Sequence, residues 1–263
     1  MYGCSFLITF AVMKAILFIL LFCFTGLLLF SQEKAPEKKS FPMFTVSYMP
    51  QVPGGDLADR FGINSNIGGS FIYKHKSNLF AEVNGGFIFG GNLKGDAVGL
   101  FDSIMTSNGY VINENGEYAK IITAERGFFI GGRLGYIIPV FKNNPNSGIM
   151  ISVGGGLLQH KIRIDNDANN APQILYDYKK GYDKLTNGFS ATQFIGVVYY
   201  GKQQLFNFYA GFEFYQAWTQ SRRSYDFNLK APDTQKRVDL LNGFKVGWII
   251  PIYKRMPDPF YFN

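Results

Sequence analysis

Residues 206–215 read FNFYAGFEFY. In an extended strand successive side chains point to opposite faces, so Phe206, Phe208, Ala210, Phe212 and Phe214 share one side and Asn207, Tyr209, Gly211, Glu213 and Tyr215 the other. One side is nearly all large and apolar, and the only charge shares the other side with a glycine. A strand of a soluble sandwich would carry its charges on an outward polar face. Here the oily face is expected to meet lipid, and the mixed face to point into a closed cylinder.

The same division holds upstream. Phe128, Ile130, Leu134, Tyr136, Ile138 and Val140 fall on one side, against Gly127, Phe129, Gly131, Arg133 and Gly135 on the other. Working outward from these two segments, alternation predicts strands at 43–53, 63–74, 79–91, 126–141, 149–164, 188–200, 205–221 and 238–253. The intervening segments alternate between long and short, with short ones at Lys76-Ser77-Asn78, 143–148 and 201–204, all rich in turn-forming residues. In lipid only a closed sheet satisfies every backbone N–H and C=O, and outer-membrane barrels pair long outer loops with short periplasmic turns. The expected fold class is therefore all-β: an eight-stranded antiparallel up-and-down transmembrane β-barrel. Paired glycines at 68–69, 85–86, 90–91 and 131–132 suit a narrow, strongly coiled ring.

Composition agrees. Aromatic residues and charged residues each make up 17% of the 263 residues, so charge falls below the roughly 25% usual in soluble domains. After residue 32 no uncharged apolar run reaches the length of a membrane-crossing helix. The beginning differs. Residues 15–30 are continuously apolar, preceded by Lys14 and followed by Ser31, Gln32 and Glu33, the order of an export signal, with Met13 a better start than Met1. The expected organisation is a leader over 1–32, a periplasmic linker over 33–41, the barrel over 42–255 and a short tail over 256–263. Both cysteines, Cys4 and Cys23, fall in the leader, so disulfides and thiolate metal sites are not expected in the exported chain. The formal net charge of +7 is spread along the chain without a stripe or recognition motif. Nucleic acid is not an expected partner.

Across 42–255 the chain resembles the small eight-stranded outer-membrane β-barrel proteins of diderm bacteria. In the last strand Lys245, Gly247, Ile250 and Ile252 match the polar, glycine and hydrophobic positions of that class's assembly signal. The resemblance implies an outer-membrane location, outer-membrane lipids as surroundings, and the barrel-assembly machinery as a partner during biogenesis. Many such barrels end on a terminal aromatic residue, whereas here Phe262 is penultimate and a tail follows the strand.

Strand parity turns Glu82, Arg133, Glu213 and Lys245 inward as two acid-base pairs on adjacent strands. An eight-stranded lumen is filled by side chains, so these charges are expected to form a salt-bridged plug; a narrow passive channel for small solutes is the alternative. Chemistry has less support. Only His75 and His160 exist, and the His-x-Ser pattern of lipid-modifying barrel enzymes is missing, since Lys161 and Ile162 follow His160. No catalytic residue or cofactor is expected. Asp165, Asp167 and Asn169 open like a calcium loop, but Asn170 and Tyr176 stand where Gly and Glu are required, so no metal site is expected. The loops over 92–125 and 165–187 exceed what closure needs, and loops of that length are usually functional or disordered. Tyr176, Tyr178, Lys179, Lys180 and Tyr182 in one loop, with Arg222, Arg223 and Tyr225 in the next, are expected to contact another envelope protein or an anionic glycan. The function expected is non-enzymatic: an anchor displaying loops, with membership in a larger envelope or secretion assembly.

Overall fold

The computed structural model describes residues 38–201 and 206–252. The expected leader over 1–32 and tail over 256–263, and residues 202–205, lie outside them. Eight strands form the ring: β1 (Phe41–Gly55), β2 (Asn64–Lys74), β3 (Leu79–Gly90), β4 (Ile121–Pro139), β5 (Gly148–Asn166), β6 (Thr186–Tyr200), β7 (Asn207–Ser221) and β8 (Lys236–Pro251). Each pairs antiparallel with its sequence neighbours, and β1 closes on β8 with Met43 opposite Pro251 and Gly55 opposite Asp239. The chain is an eight-stranded antiparallel β-barrel. Loops at 56–63, 91–120, 167–185 and 222–235 (loops 1 to 4) leave one mouth, and short turns leave the other.

Several boundaries move from their expected positions. β4 begins at Ile121 rather than 126 because Ile121–Glu125 pairs with Ile162–Asn166 of β5, beyond the reach of the apolar alternation. On the outward side of β5, Ile151, Val153 and Leu157 are followed by Gln159, Lys161, Arg163 and Asp165. The oily belt ends there, and both strands stand above it.

The outward apolar surface circles the ring. Val46, Ile67, Val83, Ile130, Val153, Ile195, Phe212 and Val246, one from each strand, are each substantially exposed. A water-soluble protein does not keep an oily girdle of this extent, whereas acyl chains cover one without penalty. The barrel is of the transmembrane kind.

Inside, side chains fill the bore in layers. Near the turns lies an apolar layer including Met43, Ile72, Phe80, Ile137, Phe194 and Tyr209. Its mouth is closed by buried Lys74, whose Nζ donates to Asn146 Oδ1 at 2.9 Å. Glycines make room for the rings: the Tyr209 ring covers Gly247 on the neighbouring strand, and Phe80 covers Gly135, at positions a Cβ would occupy.

Candidate functional site

Above the lower apolar layer the structure gathers Glu82, Arg133, Glu213 and Lys245. Glu82 and Arg133 are cross-strand partners on β3 and β4. Arg133 Nη2 donates to Glu82 Oε1 at 2.9 Å, its Nη1 crosses the bore to Glu213 on β7, and Lys245 Nζ of β8 lies 2.9 Å from Glu213 Oε2. All four are buried. They form one chain of ion pairs through Arg133 rather than two separate couples, with two positive charges against two negative. Such pairing is the condition for ions to be tolerated away from water. Thr45 and Ser70, whose hydroxyls meet at 2.7 Å, are buried hydrogen-bonding neighbours of the bore.

A second polar group sits towards the loop mouth, beyond Phe129, Leu158, Tyr215 and Leu241. His160 of β5 reaches across to Asp239 of β8, Nε2 to Oδ2 2.9 Å, and Thr219 of β7 donates to the same carboxylate oxygen. Asn64 Nδ2 donates to Glu125 Oε2 at 2.9 Å in the same outer region. Phe61 of loop 1 stands edge-on to the His160 ring, centroids 5.7 Å apart. Acid, base and hydroxyl are present, but the hydroxyl is bonded to the acid and not to the imidazole. A nucleophile would need its proton within reach of the base. This group was missed in the sequence: the shared parity of His160 and Leu158 turns the imidazole inward, but nothing along the chain joins it to a carboxylate on β8.

The four loops form a cap with its own core. Leu57 and Phe61 of loop 1, Leu100, Phe101 and Val111 of loop 2, and Ala171, Ile174 and Tyr182 of loop 3 pack onto Met49, Ile88 and Ile162 of the barrel mouth, with Phe227 of loop 4 against them. Backbone bonds join Gly62 to Asn92, Glu114 to Asn170 and Phe227 to Gly181, stitching each loop to the next. Asn228 Nδ2 returns from loop 4 to Leu100 O at 3.1 Å.

This cap corrects the reading of the loop aromatics. Tyr182 is only 4% exposed, held between Phe101 and Phe227 with ring centroids 5.3 and 4.9 Å away, so it is a core residue and not a contact anchor. Burial pushes its phenol pKa up. Arg223 grips Asp183 through both Nε and Nη2, and that bond raises the guanidinium pKa further. Lys180 pairs with Asp177 at 2.7 Å on the surface. Tyr176, 88% exposed, and Tyr178, Arg222 and Tyr225 face solvent, while Lys179 is half-buried at the cap surface. Among the described residues, Lys179 and Arg222 have no carboxylate partner.

The calcium-like segment does not converge on a point. Asp165 pairs with Arg163 at 2.7 Å and Asp167 with Lys120 at 3.2 Å. Among the described residues no cluster of three or more His, Cys, Asp or Glu is placed to hold a metal ion. In β8 Lys245 and Gly247 face the bore and Ile250 is outward and exposed, while Ile252, one residue past the strand's end, is also exposed.

No family model matches this chain, and no curated protein does. Among solved structures, Ail, the attachment invasion locus protein of Yersinia pestis, is similar at 7% identity, covering 80% of this chain and 99% of that one. Its TM-score is 0.40 for the structure in complex with the heparin analogue sucrose octasulfate and 0.37 for a second crystal structure.

Proposed function

We propose that this chain is a non-enzymatic outer-membrane anchor whose capped loops present a contact surface to an anionic glycan or another envelope protein. The observation that carries the reading is the cap: four loops share one core, so the aromatic and basic residues on its outside are held in place before any partner arrives. Ordering a surface in advance removes an entropic cost from binding. Tyr176, Tyr178, Lys179, Arg222 and Tyr225 are the contact residues, aromatic faces supplying area and the two cations without carboxylate partners supplying attraction to negative groups. Export through a leader ending near residue 32, folding through the signal at Lys245, Gly247, Ile250 and Ile252, and service as an accessory subunit of an envelope or secretion assembly complete the proposal.

What favours an anchor over a passive channel is the filling of the bore, by ions midway, by apolar side chains on both sides of them and by the cap above. Support for a non-enzymatic role comes from Thr219, which is bonded to Asp239 instead of to His160.

The test is co-purification from gently solubilised membranes, wild type against a Tyr176→Ala, Tyr178→Ala, Lys179→Ala variant. Tyr176 and Tyr178 are exposed and Lys179 is half-buried on the cap, away from the strands, so the barrel should fold unchanged. Loss of a specific envelope component with the variant is the expected result. Equal recovery by both proteins, or no component with either, would refute the proposal.

A further inference from the structure

On β6 the outward residues run Tyr199, Val197, Ile195, Gln193, Ala191, Phe189, and on β7 Phe208, Ala210, Phe212, Phe214, Gln216, Trp218. Two amides therefore interrupt the oily belt. From Tyr199 to Gln193 the strand runs about 20 Å, about 15 Å of depth at the tilt of such barrels, which carries Gln193 well into the hydrocarbon layer. Above the amides, Phe189 and Trp218 stack with centroids 6.2 Å apart, an aromatic pair on the loop side. Asn242, on the outward side of β8 opposite Phe214, adds a third amide. The belt of β1 to β4 carries no outward amide among the described residues: Val46, Ile67, Val83 and Ile130 hold its middle, and its hydrogen-bonded outward pair, Tyr48 with Ser65, joins hydroxyls.

Gln193 and Gln216 exchange hydrogen bonds in both directions, at 2.8 and 2.9 Å. That ring uses one N–H and one acceptor site of each amide. Every primary amide has a second N–H and a second lone pair, and lipid offers partners for neither.

We propose that the Gln193–Gln216 pair, with Asn242 beside it, is a lateral contact through which two copies of this chain associate in the plane of the membrane. The amides are uncharged and both donate and accept, so the patch is its own complement. A twofold contact, the commonest among identical subunits, sets one patch directly against its copy. The small side chain of Ala191, directly opposite Gln216 and next to Gln193 on the outward face, lets two walls approach at the amides, as small residues do between membrane helices. A lipid chain would satisfy none of the remaining amide groups. The proposal is independent of the loop partner, because the patch lies on the belt and the contact residues lie on the cap.

The experiment uses the full chain reconstituted in phosphatidylcholine vesicles, with energy transfer between labelled copies followed across protein-to-lipid ratios. Wild type should associate, and Gln193→Leu with Gln216→Leu should weaken association by roughly tenfold or more. Val83→Leu on β3, across the ring, should leave it unchanged. Ala191→Phe keeps both amides but holds a second barrel away, and it too should weaken association, so a folding failure of the double variant does not leave the question open. Heat-dependent electrophoretic mobility reports folding in each case. A wild type that stays monomeric at every density, association undiminished in these variants, or association requiring a different protein would overturn the inference.

Discussion

The middle of the bore and its outer mouth are both sealed, by opposite means. Midway, Glu82, Arg133, Glu213 and Lys245 seal it with matched charge carried on strands. At the mouth, Leu57, Phe101, Ile174 and Tyr182 seal it with apolar packing carried on loops. The central plug is held by residues whose backbones are already fixed by the hydrogen-bonded ring. The cap is held by side-chain contacts among segments that have little regular structure of their own. The first can fail only with the barrel, while the second can open and leave the barrel intact.

The harshest way to break this contrast is Arg133→Met, which takes the cation from buried Glu82 and leaves Glu213 with Lys245 alone. A loss on the order of 3 to 5 kcal/mol in barrel stability is expected, read as a lower urea midpoint for the heat-resistant band. Removing all four charges together, as Glu82→Gln, Arg133→Met, Glu213→Gln and Lys245→Met, should recover much of that loss, since well-packed neutral groups replace buried ions at little cost. If the quadruple variant is no better than the single one, charge matching is not what holds the middle.

Tyr182→Ala should come next in size, removing a ring packed against two others. About 3 kcal/mol is expected, but confined to the cap. Hydrogen exchange should accelerate over 91–120, 167–185 and 222–235 while the strands below stay protected; uniform loosening of the strands would erase the distinction between the two seals.

The smallest effect expected is an alkaline one. Tyr182 holds its proton more tightly when buried than at its ordinary pKa of 10.0. Its contribution is complete below that value, where both states are protonated. It declines as pH rises through the raised folded pKa, because the opened cap releases the proton first. Protease nicking of the loops should therefore increase above pH 10 in wild type and depend less on pH in Tyr182→Phe. Identical profiles for the two proteins would remove the phenol from the account.

Period-two alternation made the ring legible because a pleated strand turns every second side chain to one face, and the bilayer makes that face mostly oily across the hydrocarbon layer, with the amides of β6 to β8 as the interruption. It was legible only where lipid touches. The β4 segment Ile121–Glu125 pairs with β5 above the belt, so its residues carry no such pattern and alternation predicts a later start than the strand has. Tyr182 lies in a sequence of tyrosines and lysines like its neighbours at 176–180, yet it is the one turned under Phe227. No periodicity marks the inside of an irregular loop.

Local order along this chain was enough to decide that it forms strands, which way each side chain turns and that the ends of the sheet must meet, since each follows from pleat geometry and the absence of water in lipid. Which inward groups meet across the bore, Arg133 with Glu213 or His160 with Asp239, was decided by the closed ring. Those partners lie 80 and 79 residues apart, and only the width and stagger of the cylinder bring them within bonding distance.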